Sequence, residues 1–393
     1  MVKLRKTVTF AQNQEAMFRE EDFEDLRPYD DHEINPALRR IIANPYFDKI
    51  AGFFFSDQDI SRIKEVLSST SSAHDFQVQF MHPLVNSIVQ KTSDGLTVDG
   101  FEQLTPGTPY LFVGNHRDIV LDSAILQVLL LDNGHKTSEI TFGSNLMIND
   151  FIVDFGKVNR MFKVERGGNK AELIRISQKL SAYIRHTIKN KKTSAWIAQR
   201  PGRTKNGSDK TEAGLLKMFN MSGGDDFKDS FRELNIVPLS ISYEYEPCCA
   251  LKVKELLLTM KNGSYRKEPG EDLNSIVTGI TGNKGRIHLS VGKPVNNFID
   301  AIDDKDTLNN KLTRLAEMID DVVYSRYRLW PGNYVAYDMK NNCSDHQSFY
   351  TVEEKEKFSG YMEKEIRGID GDRKAVEELF LGIYSNPLTN AGK

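Results

Sequence analysis

Apolar residues recur along this chain in two rhythms. In some windows they return every third or fourth position, the period of a half-buried helix; elsewhere they form short runs, the mark of a buried strand. Helical spacing dominates residues 1 to about 95. Asn35-Pro36-Ala37 reads as one helix start there, and Ser56 as the cap of another helix carrying Ile60, Ile63, Val66 and Leu67 on one face. The first thirty or so residues are polar and acidic and read as loosely held. Beyond them, apolar runs at 96–98, 110–113, 139–142, 161–165, 195–199, 236–243 and 286–291 alternate with helical patterns. The longest of these, 169–190, puts Leu173, Ile176, Leu180, Ile184 and Ile188 on one stripe. Such alternation predicts an α/β protein with a mixed, largely parallel sheet flanked by helices. The expected division is a helical N-terminal region (1–95), an α/β domain (96–300) and a helical C-terminal extension (301–393), interrupted at Trp330-Pro331-Gly332.

Composition narrows the class. Of 393 residues, 39% are hydrophobic and 27% charged, as in a water-soluble globular protein. Cys248, Cys249 and Cys343 lack metal-ligand spacing, and adjacent cysteines rarely pair, so a reducing compartment and no metal are expected. The basic start, Met-Val-Lys-Leu-Arg-Lys, is followed by no apolar core, so no signal peptide is expected. No run approaches the length of a membrane span. These features place the protein in the cytoplasm, free or held peripherally on the inner face of a membrane.

The net charge of −3 conceals an asymmetry. Between residues 160 and 217, fifteen Lys and Arg face four acidic residues, so that segment carries +11 and the remainder −14. Lys189, Lys191 and Lys192 read as a solvated helix end. The rest suits phosphates, anionic headgroups or an acidic carrier protein. The basic residues lack interleaved aromatics, which argues against nucleic acid.

The candidate chemistry begins at Gly114-Asn115-His116-Arg117-Asp118, between a strand pattern and a helix pattern. A histidine on such a turn, with Asp122 a short way into the helix, can form an oriented imidazole base. The carboxylate would hold one ring nitrogen as donor and leave the other to accept a proton. Three further segments follow. Arg166-Gly167-Gly168 ends a strand before a helix start, a natural phosphate site. Trp196-Ile197-Ala198-Gln199-Arg200-Pro201-Gly202-Arg203 runs from a strand into a loop with two arginines and a permissive glycine. The run 236–243 is a strand with Pro238 near its start.

In this order the four segments resemble the phospholipid/glycerol acyltransferase family, over roughly residues 80 to 295, most nearly its soluble, chloroplast-type glycerol-3-phosphate acyltransferases. The resemblance implies a cofactor-free transfer of an acyl chain from acyl-CoA or acyl-acyl carrier protein to a hydroxyl of glycerol 3-phosphate or 1-acyl-glycerol 3-phosphate. His116 would be the general base and Asp122 its orienting partner. Arg166 and Arg203 would bind the acceptor phosphate, with Lys163 and Arg200 as secondary candidates; backbone N–H groups near Gly202 are candidate oxyanion donors. Any membrane contact would be peripheral.

Two departures stand out. The family's usual spacing puts Leu121 where the Asp belongs, so Asp122 sits one residue late and Asp118 is an alternative partner for His116. Pro201 occupies the position of a Glu found in many members, though not in the chloroplast type. These departures leave room for a non-catalytic lipid or carrier binder on the same fold. His116-Arg117-Asp118 and Asp154-Phe155-Gly156 also spell two protein-kinase signatures. The required Asn is replaced by Ser123, and no Gly-rich phosphate loop precedes them.

Overall fold

The computed structural model describes residues 18–55 and 59–392. Seven strands form one sheet: β1 (Gly95–Asp99), β2 (Leu111–Gly114), β3 (Glu139–Gly143), β4 (Met161–Val164), β5 (Ala195–Ala198), β6 (Ile236–Tyr243) and β7 (Arg286–Val291). Their order is β1-β7-β6-β2-β5-β3-β4. All neighbours run parallel except β6 and β7, so the sheet is mixed and mostly parallel. Each apolar run read from the sequence is one of these strands, shifted by a residue or so at its ends.

The period-two pleat sends alternate residues into two cores. On β2, Phe112 joins the core under the helices between Asp31 and Thr92 and under helix Leu121–Asp132. Leu111 and Val113 face the opposite core, roofed by helices Lys170–Lys189, Ala213–Asn220 and Leu308–Arg326. Helix Leu121–Asp132 is buried from Leu121 to Leu130, which explains its nearly unbroken apolar sequence. A third core joins Cys249–Asn262 to three helices beyond Pro331. Among the described residues, no helix is long and apolar enough to cross a membrane.

Two helix starts differ from expectation. The helix read from Asn35 begins at Asp31, because Glu33 reaches back to cap its start, Oε2 accepting from the Asp30 amide at 2.8 Å, and Pro36 is carried inside. Asn35 instead donates to the carbonyls of Ser68 and Thr70 at 2.8 and 2.9 Å, tying this helix to the end of Ile60–Ser69. Ser56 lies outside the described residues, as do the first seventeen; Asp59 caps the helix assigned to Ser56, accepting from the Ser61 amide at 2.8 Å. The helix read as 169–190 spans Lys170–Lys189, with Asn169 as its cap.

Asp320, buried on helix Leu308–Arg326, accepts from the Thr211 amide at 2.7 Å. Burial outweighs that hydrogen bond and pushes its carboxyl up to about 6. The folded chain then holds a proton that the unfolded chain releases, so this contribution is full below about pH 4 and lost as pH rises through 6. Asp320→Asn keeps the acceptor without the charge. It should gain stability relative to the native chain between pH 4.5 and 7.5, by at most about 3 kcal/mol. Denaturant titrations at both pH values check this; an equal difference at the two would refute it.

Candidate active site

In a sheet whose strands run largely parallel, loops at the carboxyl ends of neighbouring strands converge, and ligands collect there. Here the loops after β2, β3, β5 and β6 meet at that end. The turn after β2 must satisfy several backbone N–H groups that belong to neither strand nor helix. Asp122 does much of this. Its Oδ2 accepts from the Arg117 and Asp118 amides at 2.6 and 2.9 Å, and from His116 Nδ1 at 2.9 Å. Its Oδ1 accepts from the Tyr243 hydroxyl at 2.8 Å. The side chain of Asp122 is 3% exposed and that of His116 13%.

The one-residue delay of Asp122 has a local cause. Asp118 Oδ1 accepts from the Val120 and Leu121 amides at 2.9 and 2.8 Å, capping the helix that follows. This cap takes up the extra residue and delivers Asp122, rather than Asp118, to the imidazole. Asp118 Oδ2 is sealed and unpartnered. Burial and the neighbouring Asp122 both push the Asp118 carboxyl up. Gly279, on helix Glu271–Thr281, lies against it so closely that a Cβ there would overlap Oδ2.

The imidazole packs edge-on against Trp196, with ring centroids 5.7 Å apart. Its Nε2 makes no hydrogen bond among the described residues. A neutral ring that donates from Nδ1 to this carboxylate presents Nε2 as its acceptor nitrogen, the arrangement a general base requires.

Arg117 turns the other way. Only 1% exposed, its guanidinium donates to Asp209 and, at 2.7 Å, to Glu246, and it lies over the Tyr327 ring at 5.0 Å. Lys252 donates to Glu246 and, at 3.0 Å, to the Arg117 carbonyl. Burial alone would lower the Arg117 pKa, but Asp209, Tyr327 and Glu246 hold it well above the usual value. Burial works against Glu246 as well, and Lys252 and Arg117 hold it below the usual carboxylate range. Asp209 adopts a left-handed φ of 39°, unusual for a non-glycine residue, in the loop that brings it beneath the turn. Asn115 ties the turn to β6 by exchanging two hydrogen bonds with Ile241, at 2.9 and 2.8 Å.

The remaining candidates divide. The loop after β5 is bound to the histidine, the Thr204 amide donating to the His116 carbonyl at 2.8 Å. Arg203, 6% exposed, follows Gly202 in that loop; its Nη1 is buried without a partner, as is Nε of Arg200. Gly202 has φ 75° and nothing within contact of a Cβ, so its backbone faces open space. Arg166 is exposed, its amide donating to Ser144 Oγ at 3.0 Å and its side chain lying over Gly143.

Lys163 is not brought to the turn: its amine is held by Glu165 and by Asp25 on the flank of helix Lys170–Lys189. The helix start after Gly168 is not the open phosphate site expected. Asn169 Oδ1 already accepts from the Ala171 and Glu172 amides at 3.0 and 3.1 Å. Tyr243, Asp209, Glu246 and Lys252 escaped the sequence reading. Tyr243 alone left a trace, as the polar-tipped end of an otherwise apolar strand.

No family model matches the chain, and no curated protein does. Among solved structures it is similar to the 1-acyl-sn-glycerophosphate (LPA) acyltransferase PlsC from Thermotoga maritima. That likeness is 11% in sequence, with a TM-score of 0.39 over 76% of this chain and 100% of the other.

Breaking a buried charge cluster by removing one member costs about 3–5 kcal/mol, because the others stay buried without their counter-charge. Glu246→Ala leaves Lys252 without a counter-charge and Arg117 with Asp209 alone, and should destabilise the fold by that amount in urea unfolding. A loss below about 1 kcal/mol would show that water reaches the cluster.

Proposed function

We propose that this protein transfers an acyl group from a thioester donor to the hydroxyl of a phosphate-bearing glycerol acceptor, in lipid synthesis. The supporting observation is the His116–Asp122 pair at 2.9 Å, with Nε2 free and two arginines with unpartnered nitrogens in the adjoining loop. The resemblance of the four segments to the phospholipid/glycerol acyltransferase family supports the same reading.

In this mechanism Asp122 fixes the imidazole with Nδ1 as donor. Nε2 takes the proton of the acceptor hydroxyl as its oxygen attacks the thioester carbonyl carbon. The tetrahedral oxyanion then collapses, the carbon–sulfur bond breaks, and the departing thiolate takes the proton from Nε2. Arg203 and Arg200 would neutralise the acceptor phosphate, with Arg166 at the rim; Lys163 contributes nothing to this step. Backbone N–H groups near Gly202 would face the oxyanion, where preorganised donors matter most. The donor is acyl-CoA or acyl-acyl carrier protein, and the acceptor is glycerol 3-phosphate or its 1-acyl derivative. No redox or metal group takes part in this reading, which places the enzyme in the cytoplasm or peripherally on a membrane.

Purified protein supplied with labelled acyl-CoA or acyl carrier protein should acylate one of these two acceptors. His116→Ala should lower the rate by about 10²–10⁴ without unfolding the protein. Asp122→Asn should also lower it, since an amide can present the wrong group to Nδ1. Turnover by His116→Ala at the native rate would remove the imidazole from the mechanism. No product from folded native protein with any pair would leave the His–Asp contact as a loop fastening only.

The acceptor contacts are tested separately. Arg203→Gln should raise KM for the phosphate-bearing acceptor by roughly tenfold or more, with the donor KM unchanged. An equal effect on both would mean that Arg203 holds the loop rather than the phosphate.

A further inference from the structure

The opposite end of the sheet carries a second concentration of positive charge. The loops that lead into β2, β3, β4 and β5 enclose a cavity there, lined by Arg160, Lys136, Lys192, His135, Thr193 and Tyr110 among others. Tyr110 stands six residues before His116 along an extended segment, so roughly 20 Å separates this cavity from the imidazole.

Three observations single it out. No acidic side chain lines it. Among the described residues, none of Arg160, Lys136 and Lys192 makes an ion pair or a side-chain hydrogen bond, and Arg160 Nε is sealed from water without a partner. Glu139 and Asp31 attract the Arg160 guanidinium only at a distance, and Glu139 is already engaged by Lys191 and the Tyr183 hydroxyl.

The backbone supplies the third observation. Arg160 and Lys192 hold left-handed φ angles of 58° and 50° where helices turn back into strands. Glycine or asparagine fits such a position with less strain. The equivalent turns before β3, β6 and β7 have Gly134, Asn235 and Gly285, at φ 74°, 46° and 57°. Two of the five turns thus carry a cation where the local backbone favours a small residue.

We propose that this cavity is a binding site for a phosphate-sized oxyanion, held by the Arg160 guanidinium with Lys136 and Lys192 closing over it. The chemistry is that of a free phosphate or the terminal phosphate of a monoester. The site is independent of the reaction assigned to the His116 turn.

Titration calorimetry with inorganic phosphate and with phenyl phosphate tests this. The native protein should bind at least the former, and phosphate should raise its melting temperature. Arg160→Asn and Lys192→Asn suit the left-handed turns, so each should melt without phosphate no lower than the native chain. Each should also weaken phosphate binding tenfold or more. Arg203→Gln removes any phosphate held at the other end of the sheet, so the binding assigned to this cavity is the part that persists in Arg203→Gln and weakens when Arg160→Asn is added to it. Binding of phosphate alone would identify a free-ion site, and binding of both probes a site for a phosphate ester. No binding by the native protein up to ~10 mM, or binding unaltered in Arg160→Asn, would overturn the proposal.

Discussion

The buried guanidinium of Arg117 is the constraint on which the arrangement around His116 depends. A charge held 1% exposed is tolerable only when neutralised and hydrogen-bonded. Asp209 and Glu246 supply the counter-charge and take a hydrogen bond from each terminal nitrogen, leaving only Nε without a partner, and Lys252 balances the second carboxylate while gripping the Arg117 carbonyl. Because successive side chains of an extended segment diverge, anchoring Arg117 inward leaves His116 on the outer side of the turn. The anchor also recruits distant chain. The Glu246 amide donates to the Tyr384 hydroxyl at 2.8 Å, and that hydroxyl meets the Tyr361 hydroxyl at 2.9 Å, so the last helices are fastened to the same point.

Asp122 completes what Arg117 begins. A carboxylate offers about four acceptor directions, and Asp122 takes four donors, two backbone amides and an imidazole on Oδ2 and a phenol on Oδ1. Four donors fix its orientation, and through it the plane of the imidazole. Trp196 closes the ring's edge, so His116 has little rotational freedom left. Geometry of this kind is what a base must have before any substrate arrives.

Much of this architecture was legible in the sequence because it is written locally. Runs such as Ile236–Tyr243 and Leu111–Gly114 are apolar throughout, as central strands covered on both faces must be. His116 and Asp122 lie six residues apart, close enough to read from one motif, although choosing between Asp122 and Asp118 needed the capping geometry. The helix read from Asn35 was misplaced because Pro at a first turn and Pro in a second turn look alike when the Glu33 cap upstream is weighed too lightly. Lys163 is a secondary phosphate candidate only through the resemblance of its segment, which says nothing about which cations are already paired; Glu165 and Asp25 hold its amine.

The cluster around Arg117 was illegible for a different reason. Asp209, Glu246 and Lys252 are separated from Arg117 by 92 to 135 positions, and each is an ordinary polar residue in its own window. The His116-Arg117-Asp118 triplet invites a kinase reading because the same three residue types can serve quite different ends. Here the middle one is structural, the last is a helix cap, and only the first faces outward. A motif names residue types; the direction each side chain takes is decided by partners that no local window contains. For that reason the placement of His116 depends on the residue beside it. The Arg117 guanidinium is held from below by Asp209 and Glu246 and its carbonyl by Lys252, and that hold keeps the imidazole on the outer side of the turn rather than in the core.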